Sequence, residues 1–195
     1  MSNTASAHAA AGMSADAALA RLQTGNARYI PAEKSAGDIS PALREKTCLH
    51  GQHPYAIVIA CSDSRVIPEA IFSAGIGELF VIRVAGNVMD DHQLGSIEYA
   101  ASHLGCRLVL VLGHTHCGAV DAAINHKPEG YIKFITDEIS LAIGREKDPY
   151  TACCLNVRRS VAVIEKSLGI RREEANGLQV VGAVYHLEDG RVEIL

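Results

Sequence analysis

The sequence predicts an α/β fold: a mainly parallel central β-sheet, four parallel strands plus a C-terminal antiparallel edge strand, flanked by helices. Three observations predict it. Short runs apolar on both faces, such as "YAIVIA" (55–60) and "RLVLVLG" (107–113), read as strands buried from both sides. Segments with helical spacing stand between them, which makes βαβ units and a parallel sheet. Near the end, "EDG" followed by "RVEIL" reads as a hairpin turn into a short antiparallel edge.

The elements follow in order. Residues 14–30, "SADAALARLQTGNARYI", place apolar residues at helical spacing behind a serine cap. Residues 31–41 hold two prolines and a glycine and read as a loop. "PALREKTCLHGQ" reads as a short helix, "YAIVIA" as the first strand and "PEAIFSAG" as a helical turn opened by Pro68. "ELFVIRVAG" is the second strand. "DDHQLGSIEYAASHLG" has acids in its first turn and glycine at its end, as a helix should. "RLVLVLG" is the third strand, and "CGAVDAAINH" begins a helix. "EGYIKFITDEISLAIGRE" and "CCLNVRRSVAVIEKSLG" read as longer amphipathic helices, and "LQVVGAVYHL" as the fourth strand. Residues 1–13 read as a flexible leader and 14–195 as a single domain.

Composition narrows the function. Of 195 residues, 48% are hydrophobic and 21% charged, the balance of an ordinary globular protein with a real core. The net charge of −4 argues against nucleic acid as a partner, because phosphate binding wants a basic footprint. No apolar run approaches the ~20 residues that span a membrane. The N-terminal stretch lacks both a positively charged start and a dense apolar segment, so it does not read as a secretion signal. The six cysteines (Cys48, Cys61, Cys106, Cys117, Cys153 and Cys154) then point to a reducing cytoplasm. There a cysteine is a buried hydrophobe, a metal ligand or a catalyst.

Two of the six stand out. Cys61 follows the first strand directly, in "ACSDSRV". The third strand ends at "GHTHCG", which places His114 and Cys117 just beyond it. Open parallel sheets bind ligands past the carboxyl ends of their strands, where strand order reverses. If the first and third strands are neighbours, the three side chains converge there. Two thiolates and an imidazole suit zinc, and three protein ligands are the pattern of a catalytic zinc site. His116 is an alternative to His114 as the nitrogen ligand. Cys117 also stands at a helix N-terminus, which favours a thiolate, and Gly118 beside it would let backbone approach the metal. Asp63 and Arg65, two apart in a loop, can form a bidentate pair. In the functional reading Arg65 holds Asp63 beside the metal, where Asp63 accepts a hydrogen bond from bound water. In the bland one they are a surface ion pair of small value.

With these residues assembled, the chain resembles the β-class carbonic anhydrases. "CSDSRV", then "HTHC" starting 53 positions after Cys61, carries the resemblance. So do "GELFVIRVAGNV" (77–88), "GSIEYAASHLG" (95–105), "VLVLGHTHCGAV" (109–120) and "NVRRSV" (156–161). It covers roughly residues 15–195.

The resemblance implies one Zn2+ per chain on Cys61, His114 and Cys117, which selects His114 over His116. It implies Asp63 and Arg65 as the catalytic pair, with Val66 and Gly118 near the substrate. The implied activity is reversible hydration of carbon dioxide to bicarbonate and a proton, by attack of zinc-bound hydroxide. The implied assembly is a homodimer, often doubled to a homotetramer, with residues 14–50 as an N-terminal helical dimerisation arm. The other reading of residues 14–30 is a helix packed on its own domain.

Some family members inhibit themselves through a bicarbonate pocket of Trp, Arg and Tyr. Here Arg83 and Tyr185 match, but the Trp position is Val58 and the chain has no Trp. In those members the counterpart of Asp63 becomes a fourth ligand in a closed form; the open form is the expectation here. His53, His92 and His126 are the exposed candidates for proton transfer.

Three other readings compete. Hydrolysis of carbonyl sulfide or carbon disulfide would use the same zinc site. A non-enzymatic zinc-stabilised protein would need a fourth ligand, from Cys48, Cys106, Cys153 or Cys154. A dinucleotide-binding module would need G-x-G-x-x-G after the first strand, where "CSDSR" stands instead.

Overall fold

The computed structural model describes residues 12–125 and 130–195. His126 and all but the last two residues of the leader assigned to 1–13 lie outside the described residues. Five strands form one sheet: β1 (Ala56–Ala60), β2 (Leu79–Arg83), β3 (Leu108–His114), β4 (Gln179–Tyr185) and β5 (Val192–Ile194). Their order is β2-β1-β3-β4-β5. β1 to β4 run parallel, and β5 is the antiparallel edge. Strand order therefore reverses between β1 and β3, which are paired with Ala60 opposite Leu112.

The alternation of side chains sorts the core into two faces. Ala56, Val58 and Ala60 of β1 join Leu108, Leu110 and Leu112 of β3 under α1 (Ala15–Tyr29) and α3 (Pro68–Ile71). Ile57, Ile59, Val109 and Val111 face the other way. There they meet α4 (Asp91–His103), α7 (Pro149–Ile164) and α8 (Leu168–Glu174). A third cluster forms beyond the carboxyl ends of the strands. It joins Cys61 and Cys117 to apolar residues of α5 (Gly118–Ile124), α6 (Ile132–Ile143) and α7.

α1 packs on the chain's own sheet. Its Ala18 and Leu22 are buried, and a Cβ on Gly25 would lie 1.9 Å from the Phe72 carbonyl oxygen. Asn26 ties it further: its amide donates to the carbonyls of Ile71 and Gly190, and its oxygen accepts the Val192 N–H. The second helix of the expected arm, α2 (Pro41–His50), buries no residue.

The segment read as one helix over 153–169 is two. α7 starts earlier, capped by Asp148, whose carboxylate accepts the Thr151 N–H. It ends at Ile164, and Ser167 opens α8 by accepting the N–H groups of Gly169 and Ile170. The break contains neither glycine nor proline. A serine hydroxyl that supplies an alternative acceptor is enough to start a new helix there.

Candidate metal centre

The strand order delivers three ligands to one point. Cys61 is the first residue after β1, His114 is the last of β3, and Cys117 precedes the first turn of α5. Their ligand atoms lie within 4.8 Å of one another, and all three residues are buried. His114 Nδ1 lies 2.8 Å from the Thr115 carbonyl oxygen, so that nitrogen carries the proton. Nε2 is buried with no hydrogen-bond partner. A buried imidazole lone pair without a partner is costly, and a metal ion beside two sulfurs satisfies it.

The two thiols differ in character. The Cys117 thiol beside it holds Cys61 well below the ordinary thiol range, against the effect of burial. His114 and the N–H groups of Gly86 and Asp63 add to the lowering. Cys117 is pushed up, first by its bond to Cys61 and then by burial. The helix N–H groups of Val120 and Ala119 pull the other way but do not win. The two sulfurs share one proton without a metal, and the N–H groups of Gly86 and Asp63 on Cys61 Sγ favour the thiolate there. A donor set of two sulfurs and one imidazole nitrogen fits zinc.

No further cysteine joins the group among the described residues. Cys48 is exposed. Cys106 donates to the Pro54 carbonyl at 3.1 Å and Cys153 to the His114 carbonyl at 3.3 Å.

Asp63 and Arg65 form the bidentate pair that their spacing allows. Arg65 Nε donates to Asp63 Oδ1 at 2.9 Å and Nη2 to Oδ2 at 2.7 Å. The Arg65 backbone N–H also donates to Oδ1. These bonds hold the Asp63 carboxyl well below the usual carboxylate range. Both carboxylate oxygens face Arg65, and Asp63 stands outside the three-ligand group.

The match to known proteins agrees with this geometry. Residues 56–192 match the family model described as carbonic anhydrase. The chain belongs to the β-carbonic anhydrase family. A carbonic anhydrase of Mycolicibacterium smegmatis is 38% identical over 195 residues, covering 91% of this chain and 92% of that protein. Carbonic anhydrase 2 of Mycobacterium tuberculosis is 35% identical over 193 residues, covering 90% of each. Among solved structures, a β-carbonic anhydrase of Aspergillus fumigatus superposes with a TM-score of 0.74 at 28% identity. It covers 80% of this chain and 81% of that one. One of two tetrameric β-carbonic anhydrases of Sordaria macrospora also gives 0.74, at 26% identity, covering 80% of this chain and 87% of its own.

Within this carbonic anhydrase fold, sequence reasoning missed the residues that steady the ligands. The Gly86 N–H donates to Cys61 Sγ at 3.2 Å. Gly86 adopts φ +68, and a Cβ there would lie 2.8 Å from Ile139 Cδ1. Asn156 on α7 donates to the Gly86 carbonyl at 2.7 Å, and Ser160 to the Asn87 carbonyl at 3.0 Å. "NVRRSV" thus supports the turn after β2. Arg83 ties down the ligand loop, donating to the carbonyls of Cys61 and Asp63 at 3.0 and 2.7 Å. A glycine just past a strand was the visible signal for Gly86; Asn156 stood out only as the first residue of "NVRRSV", with no role attached to it.

The remaining sequence-predicted residues fall out as follows. His116 is exposed and its Nε2 meets Glu188, so it does not join the ligands. Val66 is fully buried in the core cluster with Ala60 and Tyr185 and forms wall behind the loop. Gly118 faces open space: a Cβ would meet no atom, so this chain's packing does not require glycine there. Tyr185 Oη meets Tyr29 Oη at 2.8 Å, and Val58 is buried under α1. His53 and His92 are exposed.

Proposed function

We propose that this protein catalyses the reversible hydration of carbon dioxide to bicarbonate and a proton, with one zinc ion held by Cys61, His114 and Cys117. The observation that carries this reading is the buried trio of ligand atoms within 4.8 Å, with the unpartnered His114 Nε2 among them. Zinc bound there supplies a Lewis acid that makes water nucleophilic near neutral pH.

The chain's own residues do the rest. Asp63, ionised and fixed by Arg65, accepts a hydrogen bond from the nucleophilic water and orients its lone pair toward carbon dioxide. Arg65 keeps the carboxylate from taking the metal itself, which favours the open form. Arg83 fixes the backbone from which both Cys61 and Asp63 project. Val66 backs the loop as apolar wall, and Gly118 leaves the entrance unobstructed. The proton leaves through exposed groups or buffer.

The working form is a homodimer that can double to a tetramer, like the tetrameric β-carbonic anhydrases of Sordaria macrospora. Residues 14–195 form its single domain, and α2, which buries nothing in one chain, supplies part of the contact. We place the enzyme in the cytoplasm; no helix among the described residues is long and apolar enough to cross a membrane.

The test is stopped-flow carbon dioxide hydration on protein of measured zinc content, from neutral to alkaline pH. Fast turnover with one zinc per chain, lost in Cys61→Ser, supports the reading. Full zinc with no hydration overturns it and directs the assay to carbonyl sulfide and carbon disulfide.

A further inference from the structure

His116 lies between two ligand residues in sequence, yet its side chain turns away from them. Its φ is +54, the left-handed region that a residue with a side chain holds only when its surroundings enforce it. Two contacts define it. His116 Nε2 meets Glu188 Oε1 at 2.7 Å, and the His116 carbonyl accepts a hydrogen bond from Arg65 Nη2 at 3.2 Å.

Glu188 comes from the turn between β4 and β5. Its other oxygen, Oε2, accepts the Thr115 hydroxyl at 2.9 Å. Thr115 Oγ1 in turn accepts the Leu187 N–H at 3.0 Å. One carboxylate thus gathers both residues that separate His114 from Cys117. The β4–β5 turn does not need that side chain to close. Its backbone is already bonded, His186 N–H to the Arg191 carbonyl and Gly190 N–H to the His186 carbonyl.

We propose that Glu188 is a positioning residue for the Asp63–Arg65 pair: it holds His116 in its left-handed conformation, so that the His116 carbonyl stays aimed at the Arg65 guanidinium. Glu188 touches none of the reacting atoms. Arg65 Nη2 serves two acceptors, Asp63 Oδ2 and the His116 carbonyl. The arginine side chain is 54% exposed, and the His116 carbonyl is its one anchor outside the Asp63 loop among the described residues. Without that anchor the guanidinium turns toward solvent and takes the carboxylate with it. The inference rests on the reading of Asp63 and Arg65 as the catalytic pair.

Three variants test it: Glu188→Ala, Glu188→Gln and the double variant Glu188→Ala/His116→Gly. Glycine adopts positive φ without a Cβ penalty, so the double variant restores the backbone without the anchor. Glu188→Ala should lower kcat for carbon dioxide hydration about tenfold, with zinc content and KM nearly unchanged. Glu188→Gln can still bond Thr115 and His116 and should stay within about threefold of wild type. The double variant should recover most of the loss. Full kcat in Glu188→Ala, or a loss that His116→Gly does not relieve, overturns the proposal. A wild type that takes zinc but does not hydrate carbon dioxide sinks the functional reading instead. The positioning claim is then decided by the Arg65 Nε–H resonance. It should shift and broaden in Glu188→Ala, and an unchanged resonance overturns the claim.

Discussion

The backbone N–H of Gly86 points at the sulfur of Cys61 from 3.2 Å away. Gly86 sits in the turn after β2 and Cys61 at the end of β1, so the bond crosses between adjacent strand ends. An N–H aimed at a thiolate stabilises its charge and fixes its direction, as outer partners of metal ligands do.

Gly86→Ala should therefore harm both stability and metal affinity. The added Cβ meets Ile139 and Ala119 at 2.8 and 3.1 Å, on a backbone at φ +68. Strain of this kind costs about 1–3 kcal/mol. Asn156→Ala leaves the Gly86 carbonyl buried without its 2.7 Å donor and should cost a similar ~1–3 kcal/mol. In both variants zinc should be held about tenfold less tightly or worse. Urea denaturation and competition with a zinc chelator measure the two effects.

The two histidines of "HTHC" should separate cleanly. His114→Ala removes the only unpartnered buried ring nitrogen among the described residues and should abolish stoichiometric zinc. His116→Ala should keep its zinc, because that ring faces Glu188. Metal analysis after gel filtration decides the matter. Equal zinc loss in the two variants would contradict the assignment.

Zinc uptake by metal-free protein should release about one proton near neutral pH rather than two. Cys61, whose pKa is lowered, is already a thiolate there, and the raised Cys117 is the thiol that must ionise. Calorimetry in buffers of different ionisation enthalpy counts the protons directly.

Arg65→Ala should move the acid side of the pH–rate profile upward. The guanidinium is the first cause of Asp63's depressed pKa, so without it the carboxyl climbs back toward its ordinary value and protonates sooner on acidification. The sign for stability is the same. A depressed carboxyl pKa contributes stability above the unfolded-state value and loses it as pH falls through the folded one. Arg65 is half exposed, so solvent keeps that contribution small. The rate profile is the sensitive measurement.

Hydration activity of the wild type should rise into the alkaline range. Two thiolates cancel the formal charge of zinc, whereas three neutral histidines leave it intact and give a bound-water pKa of about 7. Asp63 opposes hydroxide further and Arg65 offsets it. A rate already flat below neutrality would count against the two-thiolate site.

Much of the site was legible because its signals are local. "YAIVIA" and "RLVLVLG" read as strands from composition, and Cys61, His114 and Cys117 stand immediately after them. Only the adjacency of β1 and β3 had to be supplied by topology. What escaped was the layer made by distant residues. Asn156 reaches Gly86 across 70 positions, and Glu188 reaches His116 across 72. A polar residue on a helix or in a turn gives no hint of so remote a partner. Packing demands glycine at 86, where φ is positive and side chains crowd, and leaves open space around 118. The start of α8 rests on Ser167, a cap that looks like any other serine inside a helical run.

The placement of the ligands on two strands that are neighbours in space but not in sequence has a consequence for biosynthesis. A growing chain that has just emerged past β2 carries Cys61 alone; the other two ligands are still to be made. Even when they emerge, the H-x-x-C pair and the lone cysteine meet only after β3 inserts beside β1, a non-local pairing of the kind that forms slowly. Metal uptake at this trio would therefore be a late event, possible only once the β1–β3 pairing is in place.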